Sequence, residues 1–499
     1  MIAMTLAQVA DAVGGRLVGS GLVGGGAPGT GPADRLVDGP VVTDSRECGP
    51  GSLYVARRGA SADGHDYVAA AVAAGAVAAL VEREVHADVP QVLVDDSQVA
   101  FGRLARRVVD LGRAGGLVVV AVTGSSGKTG TKDLLAAVLA PLGEVVAAPE
   151  SYNSEIGVPL TVCRATPGTR YLVVEMGARG AGHLTYLTGI APPDVSVVLN
   201  VGLAHAGEFG SLEAVQAAKG ELVEALRPDG VAVLNRDDPR VAAMAARTRA
   251  EVVLVSAGGD PQADVAAERV EVDDLGRASF DLVSRLAAPD GAAGTARVAL
   301  RLHGEHHVGN ALSAAAVALR LGLGTVDVAT ALSAAVPASG GRMELVQRPD
   351  GVVVVNDAYN ANPDSVRAAL KALASMGRAA DGSRRRTWAV LGEMLELGED
   401  AVRLHDEVGR LAVRLDVSRV VAVGAGARAV HTGAVMEGSW GAESVWVPDA
   451  DAARQLLREE LEPGDVVLLK SSRDSGLRRL GEQVVADGDS AAPTGGGRS

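Results

Sequence analysis

One stretch constrains the fold more than any other, residues 117–143, which read LVVVAVTGSSGKTGTKDLLAAVLAPLG. An unbroken valine run without alternation reads as a strand covered on both faces, which an α/β layer architecture provides. A glycine turn follows, and then an apolar pattern with helical spacing. Glycines there let backbone N–H groups approach an anion, and the start of the helix favours negative charge. This is the context a phosphate loop requires. Lys128 is placed to reach terminal phosphates and Thr129 to help hold Mg²⁺, so ATP is the expected ligand. Candidate contacts are Thr123, Gly124, Ser125, Ser126, Gly127, Lys128, Thr129 and Gly130. Val122 stands where the usual G-x-x-x-x-G-K-[ST] spacing places its first glycine, so this loop is shorter than the common version. The bland alternative is a glycine turn beside an exposed lysine.

A length of 499 residues suggests three domains, at roughly 150 residues each. The expected architecture is α/β throughout. It comprises a small N-terminal α/β domain (1–114), a central P-loop ATPase-like domain with a mostly parallel sheet (115–339), and a Rossmann-like C-terminal domain (340–486). Residues 487–499 are expected to be a disordered tail, residues 19–32 a flexible excursion, and Gly115 with Gly116 a hinge. Strands are expected at 171–177, 195–202, 230–238, 352–360, 387–394, 419–427 and 465–473. With aromatics at only 2%, the cores must be built from Val, Leu and Ala.

A net charge of −14 argues against a nucleic-acid surface, which needs a dense basic face. Cys48 and Cys163 are too few for a disulfide framework or a zinc site. The N-terminus has no basic leader and carries Asp11 in its apolar stretch. The longest uncharged apolar stretch, 67–81, is too short to span a bilayer and reads as helix, turn at Gly75 and strand. A cytoplasmic protein, not embedded in a membrane, is expected.

Other residues are ambiguous when read alone. Glu175 and His205 each follow an expected strand, at the end where open α/β sheets place ligands. Together they suit a divalent cation; singly, each suits a surface or capping role. Lys219 alone is a helix-surface lysine. Asp44, Ser45 and Arg46, like Asp63, Gly64 and His65, read as polar turns. Residues 354–366 read as a strand-to-helix turn, with Pro363 at the helix start.

The segment TGSSGKTGTK resembles the phosphate loop of the Mur ligases and folylpolyglutamate synthetases, commonly written TGSNGKTTT, with Ser126 and Gly130 departing. Several further segments resemble the Mur ligases in order. They are TDSREC with the following GPGSLYVARRGASADGHDY, YNSEIGVPLTV, EMG (175–177), NVGLAHAGEFGS, AAKGEL, GEHHVGNALSAAAVA, VVNDAYNANPDSV, LGEMLELGE and LLKSSRDSGL. The resemblance implies a UDP-muropeptide site including Asp44, Ser45, Arg46, Asp63, Gly64, His65 and Asn153. It implies Mg²⁺ held by Thr129, Glu175, His205 and a carbamylated Lys219, and adenine recognition by Asn310. Arg342 would reach the γ-phosphate on domain closure, and Asp357, Tyr359, Asn360 and Asn362 would contact nucleotide. Lys128, Lys219, His205 and Arg342 are the implied catalytic set.

The segments NDAYNANPDS and LGEMLELGE further resemble the family member that adds D-alanyl-D-alanine to a UDP-N-acetylmuramoyl-tripeptide through an acyl phosphate, consuming ATP with Mg²⁺. A monomer is expected. The rivals are a diamino-acid-adding member of the same family and a nucleotide-binding regulator without ligase activity.

Overall fold

The valine run Val118–Thr123 lies inside a nine-stranded sheet, where Val119, Val120, Ala121 and Val122 are fully buried. The structure is a computed structural model that describes residues 1–19, 31–59, 62–202, 209–286, 294–378, 382–438 and 443–490. The expected excursion at 19–32 therefore lies almost wholly outside the described residues, as does His205.

From one edge the central sheet runs Glu144–Ala147, Thr169–Glu175, Val118–Thr123, Val195–Val198, Val231–Asn235, Glu251–Ser256 and Val265–Val272, all parallel. Beyond these, Arg277–Ser284 and Gly294–His303 add antiparallel pairs. Gly294–His303 alternates buried with exposed or half-buried positions, and neither of these strands is the continuous apolar run of a strand covered on both faces.

The N-terminal sheet is ordered Arg16–Val18, Gln91–Leu93, Ala76–Val81, Ser52–Val55, Val41–Val42. Its stretch 67–81 forms the helix Val68–Ala73 and the strand Ala76–Val81, with Gly75 at φ 113° between them, as the sequence suggested. The C-terminal sheet is ordered Glu344–Gln347, Val353–Asn356, Val466–Lys470, Thr387–Leu391, Arg419–Val423, Ser444–Val447. Only its first pair is antiparallel. The last strand of the chain inserts between earlier ones, so the strand order reverses there, and ligands bind at such a switch point.

The helix Ser97–Ala114 links the first two sheets. Asp96 caps it by accepting from the N–H groups of Gln98 and Val99, and Ala100, Phe101, Leu104, Ala105, Val108 and Val109 form its buried stripe. It packs on the helices Gly157–Val162 and His183–Ile190 of the central unit. Gly102 permits the approach, because a Cβ there would lie 3.2 Å from Ile190 Cδ1. One continuous apolar core consequently runs from Met4 and Leu6 through Phe101 to Leu172 and Leu222. Gly115 and Gly116 close this helix with backbone bonds to Gly112 and Arg113.

The C-terminal sheet has apolar clusters of its own on both faces, with Trp388 fully buried in one of them. Before that sheet the chain is pinned at Ser339. Its Oγ accepts from Lys132 Nζ at 3.1 Å and its N–H donates to Asp133 Oδ2 at 3.2 Å. At the other end the helix Leu477–Ser490 runs past the expected start of the tail. Asp487 belongs to that helix and accepts from Arg454 and Arg458, so the disordered tail expected from 487 is corrected at this end; 491–499 lie outside the described residues. No helix among the described residues is long and apolar enough to cross a membrane.

Candidate active site

Strand ends converge from two directions. Val118–Thr123, Thr169–Glu175 and Val195–Val198 deliver the phosphate loop, Glu175 and Asn200. From the opposite side, Val353–Asn356, Val466–Lys470 and Thr387–Leu391 deliver 357–360, 470–473 and 392–396. Between them lies a cavity of about 420 Å³ lined from both units.

The glycine loop is tied to its neighbours by polar bonds. Thr123 Oγ1 donates to the Met176 carbonyl at 2.8 Å, and the Ser126 N–H donates to Asn200 Oδ1 at 2.9 Å. Ser125 Oγ accepts from the Gly202 N–H at 2.8 Å. Gly127 begins the helix Lys128–Leu139 at φ 82°, and no side chain caps that helix. Its first N–H groups therefore point into the cavity without a capping partner, as an anion site requires. A Cβ on Gly127 would lie 2.7 Å from Asn310 Oδ1, so glycine is needed for both conformation and space. Lys128 Nζ donates to the Gly124 carbonyl at 2.7 Å, folded back over its own loop.

Glu175 is buried and saturated with donors. Its Oε2 accepts from Thr129 Oγ1 at 2.8 Å, and its Oε1 accepts from Ser151 Oγ at 2.6 Å and Asn153 Nδ2 at 2.8 Å. Burial alone would raise its pKa, but the charges of Lys128 and Arg342 and these hydrogen bonds hold it below the usual carboxylate value. Desolvation in turn lowers the Lys128 pKa; Glu175 works against this and Arg342 with it. Asn153, expected to contact the UDP-muropeptide, lies in this carboxylate cluster and lines the cavity.

Lys219 is not the surface lysine its helix suggested. It is 3% exposed. Burial, followed by the charge of Lys128, drives its pKa well below the ordinary lysine value. Desolvation of this kind favours the neutral form of an amine over the charged one.

On the C-terminal side, Arg342 stacks over the Tyr359 ring at 4.4 Å, and its Nε is buried without a hydrogen-bond partner. Asp357 accepts from the Met343 N–H at 3.1 Å and from Lys470 Nζ at 2.6 Å. Asn360 is exposed, and its Oδ1 accepts from the Ala361 N–H. Asn362 caps the helix Pro363–Met376 in a capping box with Ser365, so its carboxamide oxygen is already committed. The plain turn reading thus holds for Asn362, although it lines the cavity.

Asp44, Ser45, Arg46, Asp63, Gly64 and His65 do not line this cavity. Asp44 caps a short 3₁₀ turn and pairs with Arg46, whose side chain is 87% exposed. Asp63 caps the next turn and pairs with Arg83. His65 is buried, with Nδ1 on Asp63 Oδ1 at 2.6 Å and Nε2 accepting from the Glu82 N–H at 2.8 Å. Neither ring nitrogen is left for a ligand, which corrects the binding role expected for His65. Gly64 is required by space, because a Cβ there would meet the Arg57 backbone at 2.6 Å.

Polar cavity residues outside the expected set include Ser151, His307, Lys470 and Arg473. Lys470 falls in LLKSSRDSGL and His307 in GEHHVGN, so the segments were visible while the side chains that matter were not. Arg473 falls in LLKSSRDSGL as well, and Ser151 gave no local signal.

The residues present fit ATP and Mg²⁺. Among the described residues no group of three or more His, Cys, Asp or Glu side chains could hold a metal ion by itself. Mg²⁺ is commonly held by one or two carboxylates completed by phosphate oxygens and water. Glu175 with the Thr129 and Ser151 hydroxyls matches that donor set, beside an uncapped helix start suited to phosphate.

Comparison with known proteins agrees. The Mur ligase middle domain matches residues 122–318, the Mur ligase glutamate ligase domain 341–473, and the Mur ligase family catalytic domain 40–108. The chain belongs to the Mur ligase family. It is 49% identical to the UDP-N-acetylmuramoyl-tripeptide–D-alanyl-D-alanine ligase of Mycobacterium leprae, over 98% of this chain and 99% of that one. A crystal structure of MurF from Acinetobacter baumannii superposes with TM-score 0.81 at 29% identity, covering 97% of this chain and 99% of that one. MurF of Thermotoga maritima, solved in complex with ADP, superposes with TM-score 0.74 at 28% identity, covering 91% and 98%.

Proposed function

We propose that this chain joins D-alanyl-D-alanine to UDP-N-acetylmuramoyl-tripeptide at the expense of ATP, acting as a monomer in the cytoplasm. The observation that carries this reading is one cavity in which Lys128, Glu175 and the uncapped helix face Arg342, Asp357 and Tyr359 from a second sheet. Near-full-length similarity to ligases of that name supports the choice of substrates.

The terminal carboxylate of the tripeptide attacks the γ-phosphorus of ATP, the bond to ADP breaks, and an acyl phosphate results. The amine of the dipeptide then attacks the acyl carbon, phosphate leaves, and the new amide nitrogen loses a proton. Carboxylate and triphosphate repel by about 4 kcal/mol at 4 Å and an effective dielectric near 20. Lys128 and Arg342 offset that repulsion from opposite sides, and the helix start orients the phosphates. Mg²⁺ on Glu175 and Thr129 supplies further neutralisation of phosphate charge when bound. Closure of the two walls excludes water from the acyl phosphate.

Lys219 fits carbamylation: its neutral amine attacks CO₂, an N–C bond forms, a proton leaves, and the product is an anion beside Lys128. Asp44, Arg46 and Asp63, remote from the cavity, remain the proposed contacts of the UDP end, with His65 and Gly64 shaping the turn. Residues 1–114, 115–339 and 340–486 are the proposed working units, and Asn310 the proposed adenine contact. His205 is kept as a proposed cation ligand on the resemblance alone.

The test is phosphate release from ATP with UDP-N-acetylmuramoyl-tripeptide, with and without D-alanyl-D-alanine, followed by product mass. Release that needs both, with the pentapeptide formed, is expected. Turnover with a single amino acid on a shorter muropeptide would overturn the choice of substrates while keeping the family.

A further inference from the structure

A buried cation that takes no part in the proposed chemistry stands a helical turn beyond Lys128. Lys132 is 1% exposed, on the helix Lys128–Leu139. A buried ammonium is costly unless acceptors replace its water, and here three segments of the chain supply them. Nζ donates to the Ala148 carbonyl at 2.5 Å and to Ser339 Oγ at 3.1 Å, with the Glu150 carbonyl at 3.5 Å. It also pairs with Asp133 Oδ1 at 2.8 Å, and Asp133 Oδ2 accepts from the Ser339 N–H at 3.2 Å. The phosphate-loop helix, residues 148–150 and Ser339 are thereby tied at a single ammonium.

Each tied segment leads into the cavity. Residues 148–150 run to Ser151, whose Oγ donates to Glu175 Oε1 at 2.6 Å. Ser339 runs, three residues on, to Arg342. Gly341 and Met343, on either side of Arg342, adopt φ 70° and 48°. Met343 holds a conformation that side chains seldom take, and its N–H donates to Asp357 Oδ1 at 3.1 Å. The turn that carries Arg342 is thus anchored at both ends, on the central unit through Ser339 and on the C-terminal unit through Asp357. Three residues span at most about 10 Å, so the anchor at Ser339 bounds the distance of Arg342 from the helix that carries Lys128.

We propose that Lys132, with Asp133 and Ser339, is a positioning residue for the ligation: it fixes the chain leading to Arg342 against the phosphate-loop helix, so that Arg342 and Lys128 meet the same phosphate from opposite sides. The proposal rests on the reaction assigned above and on the part Arg342 plays in it. None of the three residues lines the cavity, so they act through the backbone that delivers Arg342 and not on a substrate.

The test uses the full chain and steady-state kinetics in each of the three substrates. Ser339→Ala removes one hydroxyl and leaves the pair of Lys132 and Asp133 in place. It is expected to lower kcat at least about tenfold, with each KM changed less than about twofold. Ser339→Thr, which keeps the hydroxyl, should restore most of the loss. The decisive comparison repeats Ser339→Ala in an Arg342→Ala background. A residue that works through Arg342 has nothing left to position there, so the further loss should stay below about twofold. A loss of the same size in both backgrounds would overturn the proposal and make the cluster a structural tie, and so would an unchanged kcat in Ser339→Ala. Full kcat in Arg342→Ala alone would remove the part assigned to Arg342 and the proposal with it, while an active wild type kept the reaction. A wild type without ATP turnover on these substrates would overturn the reaction and the proposal together.

Discussion

The turns at Asp44 and Asp63 and the glycine loop at 123–130 are all polar turns at strand ends, yet they use their polar groups in opposite ways. In the N-terminal turns the aspartates accept from their own backbone and pair with Arg46 and Arg83, and His65 is fully engaged. In the glycine loop the side chains tie the loop to its neighbours, and the N–H groups of the following helix are left without a cap. Hydrogen-bonding capacity already used inside the chain holds shape, and capacity left open beside a buried cation is available to a ligand.

Substitutions can break this contrast. Lys128→Ala should lower ATP turnover with both substrates by about 10³-fold. Its melting temperature should not fall, because a desolvated charge is removed; retained turnover would sink the reading of the loop. Lys219→Ala should cost about 10²-fold in kcat, and small carboxylic acids should restore part of it. Full activity without rescue would make Lys219 a packing residue.

The N-terminal turns should respond in stability instead. His65→Ala leaves the Glu82 N–H and Asp63 without their partner and should cost about 1–3 kcal/mol in denaturant unfolding, with kcat unchanged. Arg46→Ala should raise KM for the UDP-tripeptide about fivefold with no loss of stability, and an unchanged KM would leave this turn purely structural.

The smallest effect concerns pH. Hydrogen bonds from Arg454, with those from Arg458, hold the Asp487 pKa at about 2, below its ordinary 3.8. A carboxylate pKa depressed by folding contributes stability that is complete above about 4 and is lost as pH falls through about 2. The melting-temperature deficit of Asp487→Asn should therefore be constant from pH 5 to 8 and close as pH approaches 2, by roughly these limits. A deficit independent of pH would refute the pairing.

What the sequence disclosed follows from range. The glycine loop was readable because strand, turn and helix are contiguous and only glycine allows the backbone at Gly127. Glu175, at a strand end, could be read alone as a surface or capping residue, and the resemblance singled it out as a ligand. Ser151 and Lys470 were not readable, because each acquires its role from a residue far along the chain: Ser151 meets Glu175, and Lys470 meets Asp357. Lys219 was readable only by resemblance, since nothing local reveals that its helix face is covered. His65 shows the reverse error, because a buried polar group and a ligand group look alike in a string of letters.

The continuous core between the N-terminal and central sheets has a spectroscopic consequence. Those two units share their apolar interior, so they should move as one body against the C-terminal sheet, with the Ser339 pin at the joint. All three tryptophans fall in the C-terminal section of the sequence, and the two among the described residues, Trp388 and Trp446, stand on strands of its sheet. Excitation selective for indole therefore illuminates one side of the joint alone. A single acceptor dye on the N-terminal body would turn the native chain into a distance gauge for closure, with no tryptophan added or removed.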